Sequence, residues 1–273
     1  MTIPANTAPT PAPSGTPRGL IIQHERSDPA GLLGTWLSDH GIPYEVVEAY
    51  SDRVPVDTGD YGFVVSLGYS NSVYDESTPW LDDELRLLRR CVGDDGAAPV
   101  PVLGICFGGQ LLGRALGADV WRNPDIEIGW LPVQALYPER VPPGPYPHWH
   151  HDAFDLPEGA VPLAMRGREC QAFLHGRALG VQFHPEADPE IFQSWIDDWG
   201  VARLRDAGFD PEQLREQASE SAAPASAAAA QLFDFFFRDI SGFPNPVPGE
   251  VRSADQRPGQ DQTRPAQHGR TLT

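Results

Sequence analysis

The chain has 273 residues and carries 38 Asp plus Glu against 20 Lys plus Arg, a formal net charge of −18. That balance argues against nucleic acid and anionic membranes as partners, because both need a positive face. All of the basic residues are arginine, which excludes a Schiff-base lysine, a pyridoxal phosphate anchor and a Walker A lysine. No run of eighteen apolar residues is present, so no transmembrane helix is predicted. Three cysteines without CxxC or Cys/His metal spacing point to neither a disulfide frame nor a zinc site, and a reduced, cytoplasmic setting is the simplest expectation.

Residues 1–17 are rich in Pro, Thr and Ala without an apolar core, and read as a disordered leader rather than a secretory signal. Leu20-Ile21-Ile22 predicts a first buried strand, Pro29 to His40 a helix stopped by Gly41, and Tyr44 to Val47 and Phe63-Val64-Val65 two further strands. Thr78-Pro79 offers a cap and a first-turn proline for a helix through Arg90, acidic early and basic late. A strand at Val102, a helix to Gly117 and then short strands follow: Trp130 to Leu136, Val161 to Met165, Gln171 to Leu174 and Leu179 to Phe183. Asp188-Pro189-Glu190 caps a helix through about Leu204. Ala222 to Ala230 reads either as a linker or as the start of a helix ending in Phe233-Asp234-Phe235-Phe236-Phe237. That aromatic cluster either docks on the core or presents a face to a partner. Residues 241–273 read as a disordered tail. The strand–helix alternation implies a parallel sheet covered on both faces.

Two motifs carry chemistry. Val100-Pro101-Val102-Leu103 runs into Gly104-Ile105-Cys106-Phe107-Gly108-Gly109-Gln110, a buried strand that breaks at Gly-X-Cys-X-Gly and continues as a helix. Such a turn lifts the central residue above the sheet edge at a helix N-terminus, where the dipole favours thiolate. Downstream, Gly180-Val181-Gln182-Phe183-His184-Pro185-Glu186 ends a second apolar strand with a histidine and a carboxylate. Cys106, His184 and Glu186 are the parts of an activated nucleophile: attacker, base and orienter. His148, His150, His151 and Asp152 suggest a metal cluster at first sight, but adjacent His150 and His151 point apart on a strand, which argues against a shared ion.

With Ile22-Gln23-His24-Glu25, Ser72-Val73-Tyr74-Asp75, Glu127-Ile128-Gly129-Trp130, Trp149-His150-His151-Asp152 and Gln171-Ala172-Phe173 in that order, the chain resembles the class I glutamine amidotransferases, in particular free-standing ones similar to the glutaminase half of GMP synthase. The resemblance covers roughly Arg18 to Ile240. It implies a flavodoxin-like, three-layer α/β domain with a mainly parallel central sheet over residues 18–240. It also implies hydrolysis of the glutamine side-chain amide through a γ-glutamyl thioester on Cys106, with no cofactor. Phe107 would supply one backbone donor of an oxyanion hole. The second donor comes from the loop Ser66-Leu67-Gly68-Tyr69, where Tyr69 stands at a family glycine and could narrow the pocket. Gln110, Gly68, His150 and Asp152 match positions near the substrate, with structural hydrogen bonding as the alternative for Gln110, His150 and Asp152. The ammonia would go to a separate synthetase subunit, since no ATP-binding signature is present. A stand-alone γ-glutamyl hydrolase or peptidase, or a non-catalytic binding subunit, are the alternatives.

Overall fold

The computed structural model describes residues 18–94 and 96–243. The expected leader, and all of the expected tail beyond residue 243, lie outside the described residues. The first half alternates strand and helix as its apolar pattern requires: β1 (Arg18–Gln23), α1 (Gly31–Asp39), β2 (Tyr44–Glu48), β3 (Tyr61–Ser66), α2 (Leu81–Cys91), β4 (Val102–Ile105) and α3 (Phe107–Ala115). A strand-rich stretch follows, with β5 (Val120–Leu131), β6 (Gln134–Ala135), β7 (Tyr146–Phe154), β8 (Val161–Arg166), β9 (Glu169–His175) and β10 (Ala178–Val181). The chain then turns helical in α4 (Pro189–Trp199), α5 (Val201–Asp206) and α6 (Pro211–Asp234), which ends in a π-helical turn over Phe235–Ile240.

Eight strands form one sheet in the order β2-β1-β3-β4-β10-β9-β8-β6, parallel from β2 to β10 and antiparallel beyond. Successive side chains of a strand face opposite sides, and the parallel strands are apolar on both. Ile21, Phe63, Val65, Leu103, Ile105 and Val181 pack towards α1 and the end of α6, whereas Leu20, Ile22, Val64 and Val102 pack towards Leu85 and Leu88 of α2 and Leu111 and Leu112 of α3. The result is the three-layer arrangement expected of a parallel sheet. Outside it, β5 and β7 pair as an antiparallel ribbon whose apolar side, Ile128 and Trp130, rests on Phe192 and Trp195 of α4 and Leu214 of α6.

Three local expectations are revised. Thr78 does not cap α2. The helix starts at Leu81 with no side-chain cap, and the Leu81 N–H donates to the Thr78 carbonyl at 3.3 Å, so Thr78-Pro79 forms a turn ahead of it. The helix from Asp188 stops at Trp199, because Gly200 takes φ 85° and starts the separate α5. Ala222–Ala230 is neither a linker nor a helix start: it lies in the middle of a 24-residue helix that contains Pro224. Regular packing explains this, since Ala225, Ala228 and Ala229 are buried and bring the helix backbone close to its neighbours.

The phenylalanine cluster docks on the core. Phe236 and Phe237 are completely buried, and the Phe237 ring stacks on Trp36 at 4.8 Å and meets Phe63 edge-on at 5.0 Å. Truncating an aromatic side chain in such a site loses its transfer free energy and leaves a cavity. Phe237→Ala is therefore expected to lower unfolding stability by about 3–5 kcal/mol, read as a fall in the urea midpoint at unchanged slope.

Candidate active site

The carboxyl ends of β1, β3, β4 and β10 meet along one edge of the sheet. The strand order reverses there between β1 and β3, the place where open α/β sheets take ligands. Cys106 sits in the one-residue gap between β4 and α3 at φ 51°, ψ −108°, and is the only non-glycine with positive φ among the described residues. Tight packing holds this turn. The Cys106 N–H donates to the Val181 carbonyl at 2.8 Å and the Gly108 N–H to the Leu67 carbonyl at 3.1 Å. A Cβ on Gly108 would lie 2.1 Å from the Ser66 carbonyl oxygen, and one on Gly104 would lie 2.4 Å from that of Gly108. The glycines let α3 descend onto the neighbouring strands, and the helix in turn leaves Cys106 with no conformation but the strained one.

β10 is parallel to β4 with Val181 opposite Ile105, so the residues just past each strand end on the same level. This register places Cys106 and His184 along the wall of one cavity, close enough for the charge on the sulfur to act on the imidazole. Glu186 Oε1 lies 2.7 Å from His184 Nδ1, which leaves Nε2 as the nitrogen available to another partner. All three residues are buried. Burial alone would push the His184 pKa down; the negative charges of Cys106 and Glu186, and their hydrogen bonds, override it and hold the ring well above its ordinary value. The Trp195 ring lies 4.7 Å from the imidazole and fixes its plane, and the Trp195 indole N–H donates to the Ser27 carbonyl at 3.0 Å.

The other expected residues divide into two groups. Tyr69 lines the cavity together with Cys106, Phe107 follows Cys106 in the chain, and neither backbone N–H has a protein acceptor among the described residues. The Tyr69 ring packs edge-on against Trp80 at 5.1 Å and Phe107 at 5.5 Å, so its bulk is taken up by an aromatic cluster. Gly68 is tightly enclosed, and a Cβ there would lie 2.5 Å from Asp28 Oδ2 and 2.7 Å from His184 Cε1. Gln110, His150 and Asp152 line the same cavity as Cys106 but are already engaged. The Gln110 amide donates to the Asp152 carbonyl at 3.0 Å and to Gln182 Oε1 at 3.3 Å. His150 Nδ1 reaches the Asp152 carbonyl at 3.2 Å, and Asp152 Oδ1 accepts from the Tyr74 hydroxyl at 3.1 Å. His24 forms a fully buried pair with Glu84 at 2.8 Å and contacts the Gly68 carbonyl at 3.0 Å, anchoring the Tyr69 loop from behind.

Two residues escaped the sequence reading. Gln182, fully buried, donates its amide to Cys106 Sγ at 3.7 Å. Its place two residues before His184, in the run that ends in His-Pro-Glu, was the available signal. Asp28 lies in the loop after β1 with its carboxyl near His184. Burial raises its pKa to about 7, the His184 charge opposing and the charges of Glu25 and Glu186 adding. The cavity around these groups measures about 470 Å³. Its acidic groups Glu25, Asp28, Asp152 and Asp198 share the lining with Arg122 and Arg203.

Asp28 yields a sign-definite expectation. Its folded-state pKa lies above the unfolded 3.8, so the folded chain holds the extra proton and stability falls as pH rises from about 4 to about 7. Asp28→Asn removes that loss. The variant should gain stability relative to wild type between pH 5 and pH 8, by on the order of 3 kcal/mol at most, in urea unfolding at the two pH values.

A family model described as glutamine amidotransferase class-I matches residues 40–201. The glutamine amidotransferase-like protein YfeJ of Salmonella typhimurium is 30% identical over 191 residues, covering 64% of this chain and 78% of that protein. The glutamine-hydrolyzing GMP synthase of Mycobacterium leprae is 28% identical over 233 residues, covering 78% of this chain but only 42% of the synthase. Among solved structures, a glutamine amidotransferase of Thermotoga maritima superposes with a TM-score of 0.71 at 27% identity, covering 81% of this chain and 97% of that one. The sequence match, together with the shared fold, establishes that this chain belongs to the class-I glutamine amidotransferase family.

Proposed function

We propose that the chain hydrolyses the side-chain amide of glutamine with Cys106 as nucleophile and releases ammonia to a separate acceptor subunit. One observation carries the reading: a cysteine at a strained strand–helix turn shares one cavity wall with a buried histidine whose Nδ1 is held at 2.7 Å by a buried carboxylate. In this reaction the Cys106 thiolate adds to the amide carbon. The negative charge moves to the amide oxygen, for which the free N–H groups of Phe107 and Tyr69 are the candidate donors. His184, carrying the sulfur's proton on Nε2, gives it to the nitrogen as the C–N bond breaks, and ammonia leaves. The γ-glutamyl thioester then reacts with a water that His184 deprotonates, giving glutamate and restoring the thiol. Glu186 positions the ring and stabilises the imidazolium throughout. Gln182 adds a fixed hydrogen bond to the sulfur, and the opposed acidic and basic groups of the cavity suit the ammonium and carboxylate of an amino acid. The acceptor partner is supported by the relatives named GMP synthase, of which this chain spans less than half.

A second reading has its own observation. A cavity of about 470 Å³ falls in the range that encloses drug-sized ligands, which leaves room for a γ-glutamyl compound with a larger amine than ammonia. Release of glutamate from glutamine and from a series of γ-glutamyl amines separates the two readings. Under the first, the purified chain or its complex with an acceptor subunit prefers glutamine, and Cys106→Ala reduces release to background. Under the second, kcat/KM is larger for a bulkier γ-glutamyl amine. Unchanged turnover in Cys106→Ala would overturn both. Glu186→Gln should keep KM within a few-fold and lower kcat by about 10²–10⁴.

A further inference from the structure

The β5–β7 ribbon carries a second cluster, made by neither the Cys106 turn nor the His184 strand. Glu127 on β5 stands directly opposite His150 on β7, and Gly129 opposite His148, so the two imidazoles share one face and the carboxylate meets them across the strand pair. The ladder shifts register between Arg122 and Glu127, a device that re-aims a side chain. Three ligand-type atoms converge there: Glu127 Oε2 lies 3.4 Å from His148 Nδ1 and 3.1 Å from His150 Nε2, and the two nitrogens are 3.3 Å apart.

We propose that Glu127, His148 and His150 form a zinc site. A tetrahedral zinc with bonds of about 2.0–2.1 Å to nitrogen and oxygen has ligand-to-ligand edges of about 3.3–3.4 Å. The three observed separations therefore outline one face of that tetrahedron. Hydrogen-bond accounting agrees. The Asp152 carbonyl can only accept, so His150 Nδ1 carries the ring proton and its Nε2 offers a lone pair into the cluster. Glu127 Oε2 is buried and accepts no hydrogen bond, despite the two nearby ring nitrogens. With both rings neutral, three electron-rich atoms face one another and share at most one proton, from His148. His148 Nε2 is buried without a partner whichever group Nδ1 faces. A divalent cation satisfies all three atoms at once.

Two of the three ligands are also held from behind, as metal ligands are. The Asp152 carbonyl orients His150, and the Arg166 guanidinium binds the other Glu127 oxygen, leaving Oε2 free. Three protein ligands leave a fourth position for water or for a group reaching in from the cavity, whose wall includes His150. The ion would clamp the ribbon that borders the cavity. It is a different set from His150 with His151, whose opposite directions argued against a shared ion at the sequence level.

The test uses the full chain stripped with chelator and titrated with Zn²⁺ by calorimetry, and with Co²⁺ by visible absorption. Cys106→Ala serves as control, because a cysteine–histidine pair can also hold zinc. One equivalent of Zn²⁺ should bind both to wild type and to Cys106→Ala. Glu127→Gln and His148→Gln should weaken binding at least about a hundredfold. The Co²⁺ form of wild type should show tetrahedral d–d bands without thiolate charge transfer, a readout that depends on no variant folding. Zn²⁺ should raise the melting temperature of wild type and leave that of His148→Gln unmoved. Absence of binding, a thiolate band, or binding lost in Cys106→Ala but kept in His148→Gln would overturn the proposal.

Discussion

The site depends on one backbone conformation, the left-handed turn at Cys106. A non-glycine residue there costs about 1–3 kcal/mol, and it persists only because the surroundings allow nothing else. α3 is drawn down onto β3 and β10 by the hydrogen bonds of Cys106 to Val181 and of Gly108 to Leu67, and the missing side chains of Gly104 and Gly108 make that approach possible. The same bonds that strain Cys106 tie it to β10, the strand that delivers His184. Position of the sulfur and position of its partner are therefore set by a single packing arrangement.

A second layer fixes the imidazole. Glu186 holds Nδ1, Trp195 covers the ring, and the Leu32 N–H donates to the Glu186 carbonyl at 2.8 Å, so the first turn of α1 supports the residue that supports His184. His24 and Glu84 do the corresponding work behind the Tyr69 loop, with Ser66 donating to the other Glu84 oxygen at 2.6 Å. Burial would drive His24 towards its neutral form. The adjacent Glu84 charge reverses this and raises its pKa. Both buried imidazoles are thus pushed towards their charged forms, His24 by Glu84 and His184 by Cys106 and Glu186, and both brace loops at the carboxyl edge of the sheet.

What could be read from the sequence divides along physical lines. β1, β3, β4 and β10 are buried on both faces, so they appear as uninterrupted apolar runs. The Gly-X-Cys-X-Gly turn and the His-Pro-Glu end announce themselves by residue type. The ribbon was hidden. β7 turns His148, His150 and Asp152 inward, so the middle of its buried face is polar and no apolar alternation marks it, and residues 132–145, with β6 among them, separate it from its partner β5. Gln182 was missed because its partners, Cys106 and Gln110, come from another strand end and another helix. The continuity of α6 through Pro224 was missed because small buried alanines leave no large apolar stripe, and the packing that overrides proline is tertiary.

The pairing of Cys106 with a charged His184 is the claim on which the chemistry rests, and alkylation read residue by residue by mass spectrometry tests it most directly. The three cysteines provide an internal comparison, since burial pushes the thiols of Cys91 and Cys170 up to about 12. If the pair is present, iodoacetamide modifies Cys106 faster than Cys91 and Cys170, and His184→Ala removes that advantage. A Cys106 that reacts no faster than the other two, or whose rate is unaffected by loss of His184, would contradict it.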